Sequence, residues 1–165
     1  MKKINLPLTK EAIKKLKVGD MVLLSGTLLT GRDQAHKRLA DTLRSKKRLP
    51  ISIKGETIYY TGPTPSKKGE VIGSCGPTTS ARMDPFLPLL LKSGLLGMIG
   101  KGERSTESNA IIKKHGAVYF MTIGGAGAYL QSKVKKNTIV AYKDLQTEAI
   151  RRLIVKDFPA IVAIK

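Results

Sequence analysis

The sequence has few cysteines, few aromatic residues and few acidic residues, and each shortage limits what the protein can be. Cys75 is the one cysteine in 165 residues, which excludes a disulfide scaffold and makes a reducing cytoplasm the expected compartment. No segment approaches the ~18 apolar residues of a membrane-spanning helix, because prolines, glycines and Lys92 interrupt the apolar segment 87–99. The N-terminal residues lack the long apolar stretch of a signal peptide, so we expect neither export nor a membrane anchor.

The shortage of acidic residues leaves the chain strongly basic. There are 30 Lys and Arg against 12 Asp and Glu, a formal net charge of +18. Such a balance favours a nucleic-acid partner, but there is no tryptophan, and we find no nucleic-acid-binding motif. An anionic ligand with an acidic partner chain fits equally well, as does a solvated lysine surface around Lys14 and Lys15. Charge alone leaves these alternatives open.

Strands alternating with helices predict a layered α/β domain over residues 1–165. Aliphatic runs predict strands, whereas helices are expected where apolar residues recur at helical spacing. Thr9 is a candidate N-cap, and Pro85 is expected to open an apolar helix. Segment 148–156 is ambiguous between helix and strand. The strands are predicted at 21–26, 57–60, 70–73, 95–99, 117–123, 137–142 and 158–164, and the helices at 9–17, from 33 onward, from 84 to 91 and at 106–115.

One segment, residues 74–85, combines a Gly-Pro turn, three consecutive hydroxyl residues and an arginine. If the chain becomes helical at the hydroxyl run, Thr78 and Arg82 lie four residues apart on one helix face. Free N–H groups at a helix start, with hydroxyls and a guanidinium, can hold an anion. The alternative is a helix capped by Thr or Ser, with Arg82 in solvent.

Two other cations occupy positions typical of ligand sites. Arg32 precedes a predicted helix start, where the helix dipole disfavours a positive charge and an anionic partner would compensate it. Asp33 alone could be that partner, and His36 one turn later has either a packing or a functional role. Lys101 lies between two glycines at the end of a predicted strand, where open α/β sheets bind ligands, although a flexible turn explains it equally well.

Four segments of the chain form a recognisable set: 31–38 (Gly-Arg-Asp-Gln-Ala-His-Lys-Arg), 60–63 (Tyr-Thr-Gly-Pro), 76–84 (Gly-Pro-Thr-Thr-Ser-Ala-Arg-Met-Asp) and 101–102 (Lys-Gly). In this order they resemble segments of class I (iron–sulfur) fumarases and L-tartrate dehydratases. The resemblance covers nearly the whole chain and corresponds to the C-terminal half of the one-chain enzymes, or to the β subunit of the two-chain enzymes. It implies a swivelling β/β/α domain with mixed sheets and flanking helices.

The resemblance places the family's substrate-contacting residues on Arg32, Thr78, Arg82 and Lys101, with Thr78 as catalytic base. It implies that Asp33 and His36 orient Arg32 or contribute to a subunit interface. The implied reaction is the interconversion of fumarate and (S)-malate; tartrate is the alternative substrate, because both share the dicarboxylate group. Two arginines can each bind a carboxylate through two hydrogen bonds.

The resemblance also implies a partner. A [4Fe–4S] cluster is usually held by several cysteines, and this chain has one, so the cluster is expected on a separate α subunit in an α2β2-like assembly. We expect no metal ligand here and interpret Cys75 as a packed residue. Two rival functions remain from other classes: a basic nucleic-acid-binding module, and a binding or structural domain without chemistry.

Overall fold

The computed structural model describes residues Met1 to Lys165, and its strands and helices alternate along the chain. The predicted layered α/β class is confirmed. The strands are β1 Lys2–Leu6, β2 Met21–Thr30, β3 Thr57–Tyr59, β4 Gly97–Gly100, β5 Val118–Met121, β6 Val134–Ala141 and β7 Ile150–Ile164. The α-helices are α1 Lys10–Lys14, α2 Asp33–Arg44, α3 Leu87–Lys92, α4 Thr106–Lys114 and α5 Gly127–Ser132, and Ser80–Phe86 and Lys143–Glu148 form 3₁₀ helices.

All seven strands belong to one mixed sheet in the order β1-β2-β3-β4-β5-β7-β6. The long strand β7 also pairs antiparallel with β2 along most of its length. Strands β2, β3, β4, β5 and β7 therefore form a closed circuit of hydrogen-bonded neighbours, with β1 and β6 attached at its outside. Closure leaves none of these five strands at an edge of the sheet, whereas β1 and β6 each keep one unpaired edge.

The strands β2, β3, β4 and β5 run parallel to one another. Their carboxyl ends therefore meet at the same edge of the sheet. Three of the segments singled out from the sequence follow these ends: Arg32 comes after β2, Gly62 after β3 and Lys101 directly after β4. This edge is where the candidate site lies.

Two apolar clusters lie on opposite sides of the sheet because neighbouring strand residues point to opposite faces. Tyr59, Ile99 and Phe120 belong to the cluster inside the circuit. Ile58 and Met98 belong to the second cluster, which includes residues of α2, α3 and α4. Helices α2, α3 and α4 thus form the third layer of a β/β/α arrangement, whereas α1 and α5 pack against the first cluster.

Local sequence signals are confirmed at several element ends. Thr9 caps α1, its hydroxyl accepting from Ala12 N at 3.1 Å, and Gly116 follows α4 with a positive φ of 62°. The ambiguous segment 148–156 is resolved mainly as strand, since β7 begins at Ile150. None of the helices combines the length and apolar character needed to cross a membrane.

Two predictions of secondary structure are wrong. Segment 70–73 forms no strand; Gly73 packs its backbone against Thr64, and Thr64 N donates to Ser74 O at 2.9 Å, so this segment folds back on its own loop. Pro85 does not open a helix either, because it lies inside the Ser80–Phe86 3₁₀ helix. The following helix α3 begins at Leu87 and has Pro88 in its first turn, where a missing N–H is tolerated.

Candidate active site

Backbone hydrogen bonds hold the segment that carries Thr78 between the ends of two parallel strands. Thr78 N donates to Tyr60 O at 2.6 Å, and Lys101 N donates to Thr78 O at 3.3 Å. Ser80 N then donates to Lys101 O at 3.0 Å, so Thr79 and Lys101 form an isolated parallel bridge. The sheet thus continues for one residue beyond β4 and places Thr78 beside Lys101.

The predicted helical relation between Thr78 and Arg82 is wrong. Thr78 directly precedes the Thr79–Lys101 bridge and lies outside the Ser80–Phe86 3₁₀ helix, which contains Arg82. The alternative of a capped helix is also wrong, because Thr79 occupies the N-cap position without a side-chain cap hydrogen bond. The two residues reach the same edge through the strand extension and the tight turn that follows it.

Asp33 connects the two arginines of the site. Nε of Arg82 donates to Asp33 Oδ1 at 2.9 Å, and Nε of Arg32 lies 3.7 Å from Asp33 Oδ2. The side chains of Arg32, Arg82 and Asp33 are 30%, 53% and 26% exposed, so the group is open to solvent. Because Arg82 contacts Asp33 through Nε, its two terminal nitrogens are left to bind a carboxylate from solvent.

Arg32 occupies the N-cap position of α2, as expected from the sequence. Its side chain runs along Gly62, where a Cβ atom would lie 2.9 Å from Arg32 Cδ and 3.3 Å from Nη1. Glu148 Oε1 lies 4.0 Å from Arg32 Nε and accepts from Gln34 N at 3.3 Å. Gly62 thus leaves the space that Arg32 occupies, and two carboxylates surround its Nε.

His36 lies beneath Arg32 and is 1% exposed. Its Nδ1 lies 2.8 Å from Arg32 O, so the ring donates to that carbonyl as the Nδ1–H tautomer. Burial is the largest cause that lowers the pKa of His36 to about 4; the nearby Arg104 lowers it further, while the bond to Arg32 and the charge of Asp33 oppose both. The neutral imidazole packs edge-on against Tyr60 and holds the backbone at Arg32.

A buried ion pair that sequence reasoning missed lies under the 3₁₀ helix. Nε of Arg104 donates to Asp84 Oδ1 at 2.7 Å, and its Nη1 donates to Tyr60 OH at 2.9 Å. The Arg104 side chain is completely buried, and its guanidinium also lies 5.2 Å from the ring centre of Tyr119. The sequence offered one signal for this pair, its position: Asp84 is the last residue of segment 76–84, and Arg104 follows Lys101 in the next loop.

Tyr119 on β5 ties the loop of Thr78 to the loop of Lys101. Its hydroxyl donates to Gly102 O at 2.7 Å and accepts from Ser80 Oγ at 2.8 Å. Gly100 makes this approach possible, because a Cβ atom at this position would collide with Ser80 Oγ. The strand pattern contains the signal for this residue, since Tyr119 alternates with two apolar side chains that face the other cluster.

The edge that carries these residues is open. Lys101 is exposed, and its aliphatic stem passes the backbone of Gly124, where a Cβ atom would lie 3.4 Å from Lys101 Cδ. Thr78 is half-buried, and Arg32, Thr78, Arg82 and Lys101 line none of the five best-formed cavities. Three cations and a hydroxyl thus form an anion-attracting surface.

The residues of this chain do not fit an iron–sulfur cluster. Cys75 is fully buried in the apolar cluster inside the circuit, and burial raises the pKa of its thiol to about 11, which disfavours the thiolate that binds metal. No group of three or more His, Cys, Asp or Glu side chains is arranged to hold a metal ion. Cys75 packs as a small apolar residue.

Comparison with known proteins gives one family along the whole chain. The family model described as "Fumarase C-terminus" matches residues 1–165. The chain is 40% identical over 166 residues to "Fumarate hydratase class I, anaerobic" of Escherichia coli K12, covering 98% of this chain and 30% of that protein. It is 37% identical over 161 residues to "Fumarate hydratase 1, mitochondrial" of Leishmania major, covering 96% and 29%.

A relative of similar length has a different name. The chain is 38% identical over 162 residues to "Putative L(+)-tartrate dehydratase subunit beta" of Methanocaldococcus jannaschii, covering 94% of this chain and 83% of that protein. By contrast, it spans about three-tenths of the length of the fumarate hydratases. With a family model matched from its first residue to its last, the chain belongs to the fumarase C-terminus family.

Proposed function

We propose that this chain is the β subunit of a two-chain hydro-lyase that interconverts fumarate and (S)-malate. One observation carries the proposal: Arg32 and Arg82 come from separate loops, share Asp33, and lie at the same open edge as Thr78 and Lys101. This arrangement suits a small substrate with two carboxylates and a reacting carbon between them. The resemblance of four sequence segments to the family supports the same residues.

The two arginines act as the dicarboxylate clamp. Nε of Arg82 donates to Asp33, and Nε of Arg32 lies 3.7 Å from the same carboxylate without a hydrogen bond, so the terminal nitrogens of both remain for a substrate carboxylate. A planar guanidinium binds a carboxylate through two parallel hydrogen bonds, and this fixes orientation as well as affinity. A clamp with two such groups favours C4 dicarboxylates over monocarboxylates.

Thr78 acts as the base, and Lys101 acts electrostatically. Dehydration of malate removes a proton from the carbon next to a carboxylate, which builds enolate-like negative charge on that group. Lys101 and Arg82 stabilise this charge. A threonine hydroxyl is a weak base, so it requires surrounding cations that lower the free energy of its alkoxide. The backbone bonds of Thr78 to Tyr60 and Lys101 fix its position beside these cations.

A separate α subunit completes the enzyme. The chain spans about three-tenths of the fumarate hydratases, and the candidate site is an open edge that another protein surface can cover. The proposed partner carries the [4Fe–4S] cluster, which this chain's residues do not fit, in an α2β2-like assembly. Activation of the leaving hydroxyl belongs to that partner. We place the assembly in the cytoplasm, in keeping with the single, buried cysteine.

Tartrate is the second candidate substrate. The relative from Methanocaldococcus jannaschii, of which the chain covers 83%, carries the name of a tartrate dehydratase β subunit. Both substrates present two carboxylates to the same clamp, so kinetics must discriminate between them. We favour fumarate.

Purification of the chain from its native source, with iron and sulfide analysis, tests the proposal. We expect a cysteine-rich partner to copurify and the complex to turn over fumarate and malate faster than either tartrate enantiomer. The isolated chain should bind no cluster and show no turnover. A tight cluster on the chain alone would contradict the division of roles. Sequence-preferring binding of DNA or RNA near physiological salt would favour the nucleic-acid alternative instead.

A further inference from the structure

Next to the candidate clamp, but not lined by its residues, the structure contains a cavity with an arginine that has no acidic partner. The cavity has a volume of about 230 Å³, enough for a small ion and a few waters, and no Asp or Glu lines it. Its polar lining residues are Thr64, Ser66, Asn137, Gln146, Thr147 and Arg151. Gly62 and Thr147 lie between this cavity and Arg32, whose side chain runs along Gly62.

The Arg151 side chain is held in a fixed orientation by neutral partners. Nη1 of Arg151 donates to Asn137 Oδ1 at 3.2 Å, and Asn137 Nδ2 donates in turn to Val71 O at 3.1 Å. No carboxylate lies within ion-pair distance of Arg151, whereas its neighbour Arg152 pairs with Glu56 at 2.9 Å. Nε of Arg151 is buried without an acceptor. Nε is therefore closed to a ligand, and the terminal nitrogens of Arg151 are the donors that can serve the cavity.

The wall of the cavity also stores backbone strain. Gln146 has φ 53° and ψ −109°, a conformation that side-chain-bearing residues rarely adopt. Such strain persists where the surrounding structure imposes it, and it concentrates at binding sites. Gln146 lies between the Lys143–Leu145 turn and Thr147, so the strained residue and its neighbour both face the cavity.

We propose that this cavity binds a small oxyanion of the phosphate or carboxylate type through Arg151. The guanidinium supplies a full positive charge with free terminal donor capacity, and the threonine, serine and amide groups supply neutral hydrogen bonds. A net charge of +18 raises the local concentration of anions around the whole surface. Because the site uses none of the clamp residues, the proposal does not depend on the hydro-lyase assignment.

Nuclear magnetic resonance of the full ¹⁵N-labelled chain tests the proposal directly. Inorganic phosphate, and separately succinate, is titrated at constant ionic strength, with chloride as the balancing anion. We expect saturable shifts at the guanidinium of Arg151 and at the backbone amides of Gln146, Thr147 and Asn137. The location of the shifts distinguishes this cavity from the clamp, because phosphate and succinate can each bind arginines at either place.

Matched variants give the second measurement. R151Q should raise the half-saturating phosphate concentration about tenfold or more, because one charge-assisted partner is lost. R152Q removes the same charge one residue away and should change the half-saturating phosphate concentration by less than about twofold. R82Q should leave this concentration unchanged. An equal loss in R151Q and R152Q, or unsaturable shifts spread over surface lysines, would overturn the proposal. If R151Q fails to fold, the location of the wild-type shifts decides the matter.

Discussion

Arg82 and Asp33 join two loops of the candidate site, with Nε of the arginine donating to Oδ1 of the aspartate at 2.9 Å. Asp33 begins α2, while Arg82 belongs to the 3₁₀ helix that follows the hydroxyl run. The pair is partly exposed, so its net contribution to stability is small. Its effect is orientation, because it holds the Arg82 guanidinium through Nε and leaves the terminal nitrogens without a carboxylate partner.

Asp33→Ala should weaken the clamp more than the fold. We expect KM for the dicarboxylate to rise about tenfold as the ordering of both guanidiniums is lost, with a smaller fall in kcat. Steady-state kinetics of the assembled enzyme measure both. Asp41→Ala is the control: it removes an acidic residue from the same helix, where Asp41 pairs with Arg44 at 2.9 Å far along the exposed face. Equal effects of the two variants would exclude an orienting role for Asp33.

Loss of either clamp arginine should weaken substrate binding. Arg32→Ala and Arg82→Ala each remove a charged carboxylate partner, and KM should rise about 10- to 100-fold. Arg44→Ala removes an arginine from the end of α2 and should leave KM unchanged. Unaltered KM values in both clamp variants would remove the dicarboxylate site from this edge.

Thr78→Ala should affect the chemical step and leave binding largely intact. We expect kcat to fall about 10²- to 10⁴-fold, the usual range when general acid–base help is lost. Thr78→Ser keeps the hydroxyl and should retain much of the rate, while Thr79→Ala controls for the loss of a neighbouring exposed hydroxyl. Nearly normal kcat in cluster-loaded Thr78→Ala enzyme would mean that another group is the base.

Tyr119→Phe removes one hydroxyl that holds two loops together. Ser80 Oγ and Gly102 O each lose their buried partner, so the free energy of unfolding should fall by about 1–3 kcal/mol. Because the tether links the loops of Thr78 and Lys101, kcat/KM should fall as well. Tyr59→Phe is the control, since its buried hydroxyl donates to Cys75 O on the other face of the sheet. It should lower stability without a comparable loss of kcat/KM.

The buried His36 should make the protein less stable in mild acid. Its pKa in the folded chain is about 4, against 6.5 for the free side chain, so the unfolded chain binds a proton that the folded chain does not. The contribution of neutral His36 to the free energy of unfolding is therefore complete above pH 6.5. It is lost as the pH drops toward about 4, by up to about 1.4 kcal/mol per pH unit.

Urea unfolding between pH 7 and pH 5 measures this effect. His36→Asn offers a donor close to the Nδ1 position without the titrating ring, and its stability should be nearly flat over this interval. His115→Asn removes the other histidine, which makes the same type of bond to Ile111 O at 3.0 Å, and should keep the wild-type slope. A wild-type slope in His36→Asn would assign the proton to other groups.

From the sequence one could predict that the candidate residues gather at one edge of the sheet, but not how their side chains contact one another. The alternation of strands and helices places the residues after β2 and β4 at one edge, since parallel strands share the direction of their carboxyl ends. It could not predict the 3₁₀ helix. Pro85 and Pro88 both lack the N–H that a continuous α-helix would require, and the chain tightens instead.

The buried contacts were also beyond sequence reasoning. Arg104 and Asp84 are 20 residues apart, and Ser80 and Tyr119 are 39 apart, so each pair depends on the packing of separate loops. An arginine in a loop is ordinarily exposed, and nothing local marks Arg104 as buried. The same reason applies to Arg151, whose lack of a carboxylate partner is visible only in three dimensions.

The closed circuit of strands has a consequence for synthesis on the ribosome. Strand β2 emerges early, but its antiparallel neighbour β7 comprises Ile150–Ile164, more than a hundred residues later. Until that strand leaves the exit tunnel, one edge of β2 is unpaired and the apolar interior of the circuit is open to water. Long-range pairing of this kind is slow and exposes the nascent chain to aggregation. The edge with Arg32 and Lys101 can therefore become rigid only after β7 has emerged and paired with β2.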